Sequence, residues 1–424
     1  MSFPKPNAAF KIPSIHDDVE LDCRIYYPRR TENNSKVFGR GFAIVAHPYA
    51  PLGGCYDDPV VALIGSVLLL HGFVLATFNF RGASGSAGRT SWSGKPELSD
   101  YVSIYGFMLH YINAVFHTGA AENMCPAEEP ILILGGYSYG SMIASHLPRR
   151  DIVVDLFKSA GPDSAETEIK HRAEDLSRDA RAYFEMHSAS ATLTLPSSTS
   201  RRGKEPPRKP KSGVTMGGYE SARISRESSR RSVDGERIRQ SLDKVRRKIG
   251  SQPNSPSIPS SATVTQPSTP PAESAPMVLP EVAYLIVSPI LSVAAGFTTM
   301  FSKLRFTMKS RQVGTISEDE FQELSSHPCC CLYGNKDAFT SVRKLQKWVA
   351  GLRSRPGSQF TSIEADAGHF WHEESGIVQL KQGLAEFCEV LTIPRSEIVQ
   401  GDAGHIEKVA PSNSTEGAAK SAER

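Results

Sequence analysis

A serine with glycine two residues away on each side, Gly136-Tyr137-Ser138-Tyr139-Gly140, is the feature of this sequence best suited to covalent chemistry. The apolar run 131–134 (ILIL) leads directly into it, and 141–147 reads as a helix on its far side. A strand-to-helix turn that tight needs small residues at those two flanking positions, and it lifts the serine hydroxyl above the sheet. The helix N-terminus then faces the reaction centre, where developing negative charge is favoured. Ser138 is therefore the candidate nucleophile; the bland alternative is a glycine-rich turn after a buried strand.

A serine hydroxyl reacts only when a base takes its proton, and the base needs a third group to hold its tautomer. Downstream, the run 329–333 (CCCLY) ends in Gly334-Asn335-Lys336-Asp337. The next strand-like run, 360–364, ends in Ala365-Asp366-Ala367-Gly368-His369-Phe370-Trp371. Asp337 is the candidate orienter and His369 the candidate base. Asp366 and Glu364 are rival orienters nearer to His369 in sequence, and His372 is a rival base. An oxyanion requires two backbone N–H donors. Tyr139 supplies one by position. The loop 47–54 after the run 41–46 supplies the other, with Tyr49 preferred and Ala50 as fallback, since Pro48 and Pro51 carry no N–H.

These groups need a scaffold whose strand ends meet. Short apolar runs at 41–46, 73–78, 131–134, 282–287, 329–333 and, more weakly, 360–364 read as strands, with 21–27 as an earlier, more exposed one. Continuous rather than alternating hydrophobicity is what a parallel sheet covered on both faces demands. Between the runs, 60–70, 100–116, 141–147, 342–352 and 377–390 read as crossover helices. The rhythm predicts an α/β fold, a doubly wound and mostly parallel sheet with its ligand site at the carboxyl ends of the strands.

Composition divides the 424 residues unevenly. From 188 to 275 the chain is dominated by Ser, Pro, Thr, Arg and Lys, too poor in apolar surface to offset its ordering entropy, so disorder is expected there. Residues 201–250 hold 16 Lys and Arg against 6 Asp and Glu in a chain whose total is +3, so the remainder is net negative. The expected organisation is a first half at 1–164, an insert at 165–276 that opens with a surface helix at 171–187, a second half at 277–395, and a disordered tail at 396–424. The basic arm at 201–250 is a candidate for contact with kinases or anionic surfaces. Arg230-Arg231-Ser232, Ser255-Pro256 and Thr269-Pro270 have kinase-site spacing, although a solvated linker explains the same composition. Nucleic-acid binding is not expected of the folded part, and oligomeric state is not legible.

The seven cysteines form no spaced framework, and the first residues (MSFPKPNAAFKIPS) carry no apolar core of signal-peptide length, so a cytoplasmic protein with reduced thiols is expected. The apolar stretch 282–301 is broken by Pro289 and reads as a buried strand with a loop or helix after it, not as a membrane span. No cluster has zinc-ligand spacing, and no metal or organic cofactor is implied.

Taken together, His47-Pro48-Tyr49, the loop from Asn79 to Gly88 (NFRGASGSAG), the turn at Ser138 and the Gly334–Asp337 and Gly368-His369 pair resemble the α/β-hydrolase superfamily. They are similar to its small lidless members related to dienelactone hydrolases and prolyl-oligopeptidase-like enzymes. The resemblance covers nearly the whole chain outside the insert and the tail. It implies a serine hydrolase acting on an ester, thioester or amide of small size, and it implies that Arg81 and its neighbouring glycines are structural. The long insert precedes the run 282–287, whereas the family's usual cap follows that strand, so substrate class is not implied. Two other readings share the fold: a non-catalytic scaffold that binds partners through the basic arm, and a peptidase of short peptides.

Overall fold

Continuous apolar runs form the middle of an eight-stranded sheet, and more polar ones form its edges. The structure is a computed structural model that describes residues 3–35, 37–117, 129–192, 276–291, 306 and 321–392. The strands are β1 (Ala8–Pro13), β2 (Glu20–Tyr26), β3 (Gly41–Ala46), β4 (Val74–Phe78), β5 (Ile131–Tyr137), β6 (Glu281–Val287), β7 (Cys329–Gly334) and β8 (Phe360–Ala365). Their order across the sheet is β1-β2-β4-β3-β5-β6-β7-β8. Only β1 with β2 and β2 with β4 are antiparallel; every pairing from β4 to β8 is parallel. In β3, β4, β5 and β7 every residue is buried, as strands covered on both faces require.

The helices are α1 (Pro59–Leu70), α2 (Lys95–His117), α3 (Tyr139–Ala144), α4 (Arg150–Lys158), α5 (Ala165–Thr192), α6 (Gln322–Ser326), α7 (Val342–Arg353) and α8 (Glu374–Leu391). One core layer joins the sheet to α2, α4, α5 and α7 through Tyr101, Tyr105, Phe157, Phe184 and Leu345. The other joins it to α1 and α8 through Val61, Ile64, Leu380 and Phe387. Cys329 and Cys331 face the first layer and Cys330 the second, the alternation of ordinary strand residues.

Several elements differ from the expectation. The helix expected at 171–187 runs from Ala165 to Thr192, and it buries Ile169, Ala173, Ala180 and Phe184 in the core. It therefore covers the sheet as part of the body, and residues 165–192 do not belong to an insert. The helix after the serine begins at Tyr139, the residue directly after it, and not at 141. Strand β1 and helix α4 are not among the expected elements: β1 is a half-exposed edge (AAFKIP), and α4 is nine residues long with only Val153, Val154 and Phe157 buried. Disorder is expected at 188–275, but 188–192 form the end of α5; residues 193–275 and the tail at 396–424 lie outside the described residues. Among the described residues no helix is long and apolar enough to cross a membrane, and 282–287 lies in β6.

Candidate active site

The parallel strands β3, β5, β7 and β8 end at one edge of the sheet, and each of the predicted site residues follows one of them. Ser138 follows β5 and is the residue before the first turn of α3, with φ 57° and ψ −116°. That backbone is costly for a non-glycine residue and survives only where the surroundings enforce it. Here they do. The Ser138 N–H donates to the Val287 carbonyl at 2.9 Å, and its carbonyl accepts from Met142 N–H at 3.1 Å and from the Ser141 hydroxyl at 2.7 Å. A Cβ at position 136 would lie 2.4 Å from the Gly140 carbonyl carbon, and one at 140 would lie 2.5 Å from the Ala46 carbonyl oxygen. Only glycine fits at either place, because the turn folds back on itself and α3 starts hard against the end of β3.

His369 follows β8 and is joined to residues from two other loops. Its Nε2 lies 2.8 Å from Ser138 Oγ, and its Nδ1 lies 2.7 Å from Asp337 Oδ2. Residues 138, 337 and 369 are all nearly inaccessible, at 5%, 8% and 4% exposure. The other Asp337 oxygen, Oδ1, accepts from Phe339 N–H at 2.7 Å and Thr340 N–H at 2.9 Å. Both carboxylate oxygens are thus committed, and a carboxylate so held orients the imidazole with Nδ1–H toward Asp337 and Nε2 free to accept the serine proton.

The rival residues lie elsewhere. Asp366 pairs with Lys336 at 2.7 Å, which holds its carboxyl below the usual range. Glu364 accepts from Tyr333 OH at 3.2 Å and Gln346 Nε2 at 2.9 Å. His372 is exposed and stacks on Phe370.

The acid and histidine loops lie close because Lys336 N–H donates to the Ala367 carbonyl at 2.9 Å. A Cβ on Gly334 would sit 2.0 Å from that same oxygen, so glycine at 334 permits the approach.

Tyr139, as the first residue of α3, has an amide with no carbonyl partner inside the helix. Tyr49 lies opposite on the loop after β3, where its carbonyl accepts from Leu52 and Gly54 and its ring packs 5.0 Å from that of Tyr139. The fallback, Ala50, begins the short 3-10 turn Ala50–Leu52.

Buried polar groups hold that loop and its neighbours. His47 is fully buried; its Nε2 accepts from Phe80 N–H at 2.9 Å and its Nδ1–H donates to the Pro48 carbonyl at 2.6 Å. Burial pushes its pKa down to about 4, so the ring is neutral at physiological pH. Arg81 binds Asp100 through Nε and Nη2 at 2.7–3.2 Å and Asp17 at 2.9 Å. That pairing holds the guanidinium charged despite its burial. Asp58 caps α1 by accepting from Val60 and Val61 N–H; burial pushes its carboxyl up, and the two cap bonds pull it partly back.

Sequence reasoning missed what fixes His369. The Tyr137 hydroxyl donates to the His369 carbonyl at 3.0 Å, and Trp371 Nε1–H donates to Ser288 Oγ at 2.9 Å. The one available signal is the aromatic pair Phe370-Trp371 directly after Gly368-His369.

No family model matches the chain, and no curated protein matches it. Solved structures do. An α/β serine hydrolase homologue from Coxiella burnetii is 14% identical, with 91% of this chain and 99% of that chain covered, at a TM-score of 0.39. An α/β serine hydrolase without a lid from Xanthomonas campestris is 13% identical, with 92% and 97% covered, at 0.41. An esterase from Pyrococcus furiosus is 12% identical, with 90% and 92% covered, at 0.40. The strand order, the antiparallel pair at one edge and the serine turn after β5 identify the architecture from this chain itself: it has the α/β-hydrolase fold.

Proposed function

We propose that the protein is a serine hydrolase that cleaves a carboxylic ester through an acyl-enzyme on Ser138. The observation that carries the reading is the continuous hydrogen-bonded chain Ser138–His369–Asp337, at 2.8 and 2.7 Å, assembled from three loops at one edge of the sheet. In the first step Ser138 Oγ bonds to the carbonyl carbon while its proton passes to His369 Nε2. The amides of Tyr49 and Tyr139 take up the oxyanion. The alkoxy–carbon bond then breaks, and the proton moves from His369 to the departing oxygen, releasing an alcohol. Water repeats the sequence with His369 as base, releasing the acid and returning the proton to Ser138. Asp337 keeps the imidazole in the tautomer that both steps need. Esters lead over amides and thioesters because their leaving groups demand least of this apparatus.

The test is labelling of the full-length protein with a fluorophosphonate. Wild type should label at Ser138, and Ser138→Ala should not. Folded wild type that fails to label, or a labelled Ser138→Ala, overturns the reading and leaves a non-catalytic scaffold in its place.

A further inference from the structure

Two aromatic rings stand on the imidazole of His369 and open to solvent. The Phe339 centroid is 4.4 Å from that of His369, and the Phe370 centroid is 5.4 Å away in a perpendicular contact; the two phenyl rings are 5.7 Å apart and nearly perpendicular. Phe339 is 38% exposed and Phe370 is 53% exposed, although the histidine beneath them is at 4%.

Neither ring is exposed by a loose loop. The Phe339 amide and the next one both donate to Asp337 Oδ1, and Thr340 Oγ1 donates to the Pro289 carbonyl at 3.2 Å and accepts from Leu291 N–H at 3.1 Å. On either side of Phe370, the His369 carbonyl is held by Tyr137 OH and the Trp371 indole by Ser288. Trp371 adopts φ 53° and is buried at 3%, so the chain turns its indole inward and leaves the preceding phenyl outside. Bulky residues rarely accept that conformation.

The chemistry assigns a role to this location. In acylation, His369 must hand its proton to the departing oxygen, so that oxygen comes within hydrogen-bond reach of Nε2. The first carbons of the alcohol then lie beside whatever covers the imidazole. Charged side chains of the two loops that carry the rings are engaged elsewhere: Lys336 pairs with Asp366, and Glu373 accepts from Gly368 N–H. Taking Ser138 as the nucleophile, we infer that Phe339 and Phe370 form the leaving-group subsite and select esters of apolar, ring-bearing alcohols. The acyl group is bonded to Ser138 on the other side of the carbonyl carbon and does not touch them.

The experiment compares kcat/KM for benzyl acetate and methyl acetate, whose alcohols are of similar acidity, and separately for 4-nitrophenyl acetate and 4-nitrophenyl butanoate. Wild type should prefer benzyl to methyl acetate by about 10-fold, as apolar contact of this size allows. Phe339→Ala and Phe370→Ala should each lower that ratio about 3-fold and the double variant should abolish it, while the acetate-to-butanoate ratio moves less than about 2-fold. Phe370→Leu, which keeps apolar surface, should restore part of the preference. Absence of a benzyl preference in a wild type that labels at Ser138, or an equal change in both ratios, overturns the subsite alone. Absence of both ester hydrolysis and phosphonate labelling overturns it together with the hydrolase reading.

Discussion

The two sides of the serine are held by different physics. On the β3–β4 side, buried charge fixes the loops: Arg81 lies between Asp100 and Asp17, and neutral His47 bridges Pro48 and Phe80. On the β7–β8 side there is no comparable buried ion network among the described residues; backbone amides, one indole and one tyrosine hydroxyl hold Asp337 and His369, and aromatic surface faces out. Removing a partner from a buried pair leaves an unpaired charge in the interior, which costs far more than losing one neutral hydrogen bond. The first side is therefore expected to govern stability, and the second to govern rate and selectivity.

Breaking the second side at its acid should give the largest effect. Asp337→Asn is expected to lower kcat about 10^4-fold on any hydrolysed ester, by favouring the wrong imidazole tautomer, with little change in thermal midpoint. A loss below about 10-fold would mean that Asp337 does not orient the base. Breaking the first side should reverse the pattern. Arg81→Met leaves Asp100 buried without its partner and is expected to cost about 3–5 kcal/mol in urea unfolding, whereas kcat of the remaining folded protein changes little. A rate loss larger than the stability loss would move Arg81 into the reaction.

Acid sharpens the same contrast. The folded-state pKa of His47 is about 4, below its ordinary value near 6.5, so the unfolded chain binds the proton more readily. The stabilisation is fully present above pH 6.5 and is lost progressively as pH falls through 4, by about 3 kcal/mol at most. His110, also near 4 and for the same reason of burial, adds to the slope. Denaturant titrations from pH 7.5 to 4 should show this fall, and His47→Gln should flatten it; a slope that His47→Gln leaves untouched would assign the effect to other groups. The smallest effect is expected at the exposed Lys336–Asp366 pair, where Lys336→Ala should leave the unfolding midpoint indistinguishable from wild type.

Much of this is legible without coordinates. Buried parallel strands announce themselves as unbroken apolar runs, so β3 to β7 are readable to within a few residues, and the serine, acid and histidine stand just past strand ends. Edge strand β1 escapes because its exposed face and Lys11 dilute the pattern. Helix α5 reads as a surface element because its sequence is mostly charged, yet a narrow stripe from Ile169 to Phe184 is enough to seat it on the core. The carboxylate partner of His369 lies 32 residues away in sequence, while Asp366 lies three away, so proximity in the chain points to the wrong one. The straps on this loop are not readable at all, since a tyrosine hydroxyl on β5 reaches the His369 carbonyl, and a serine on the loop after β6 reaches the Trp371 indole, only through the sheet order.

At φ 57° and ψ −116°, the backbone of residue 138 would suit a glycine better than a serine. A library randomised at this position and selected for folding alone should therefore drift to glycine, whereas selection for turnover should recover serine. The position sets the demands of the reaction directly against those of the chain's own stability, and the outcome of the two selections measures which prevails.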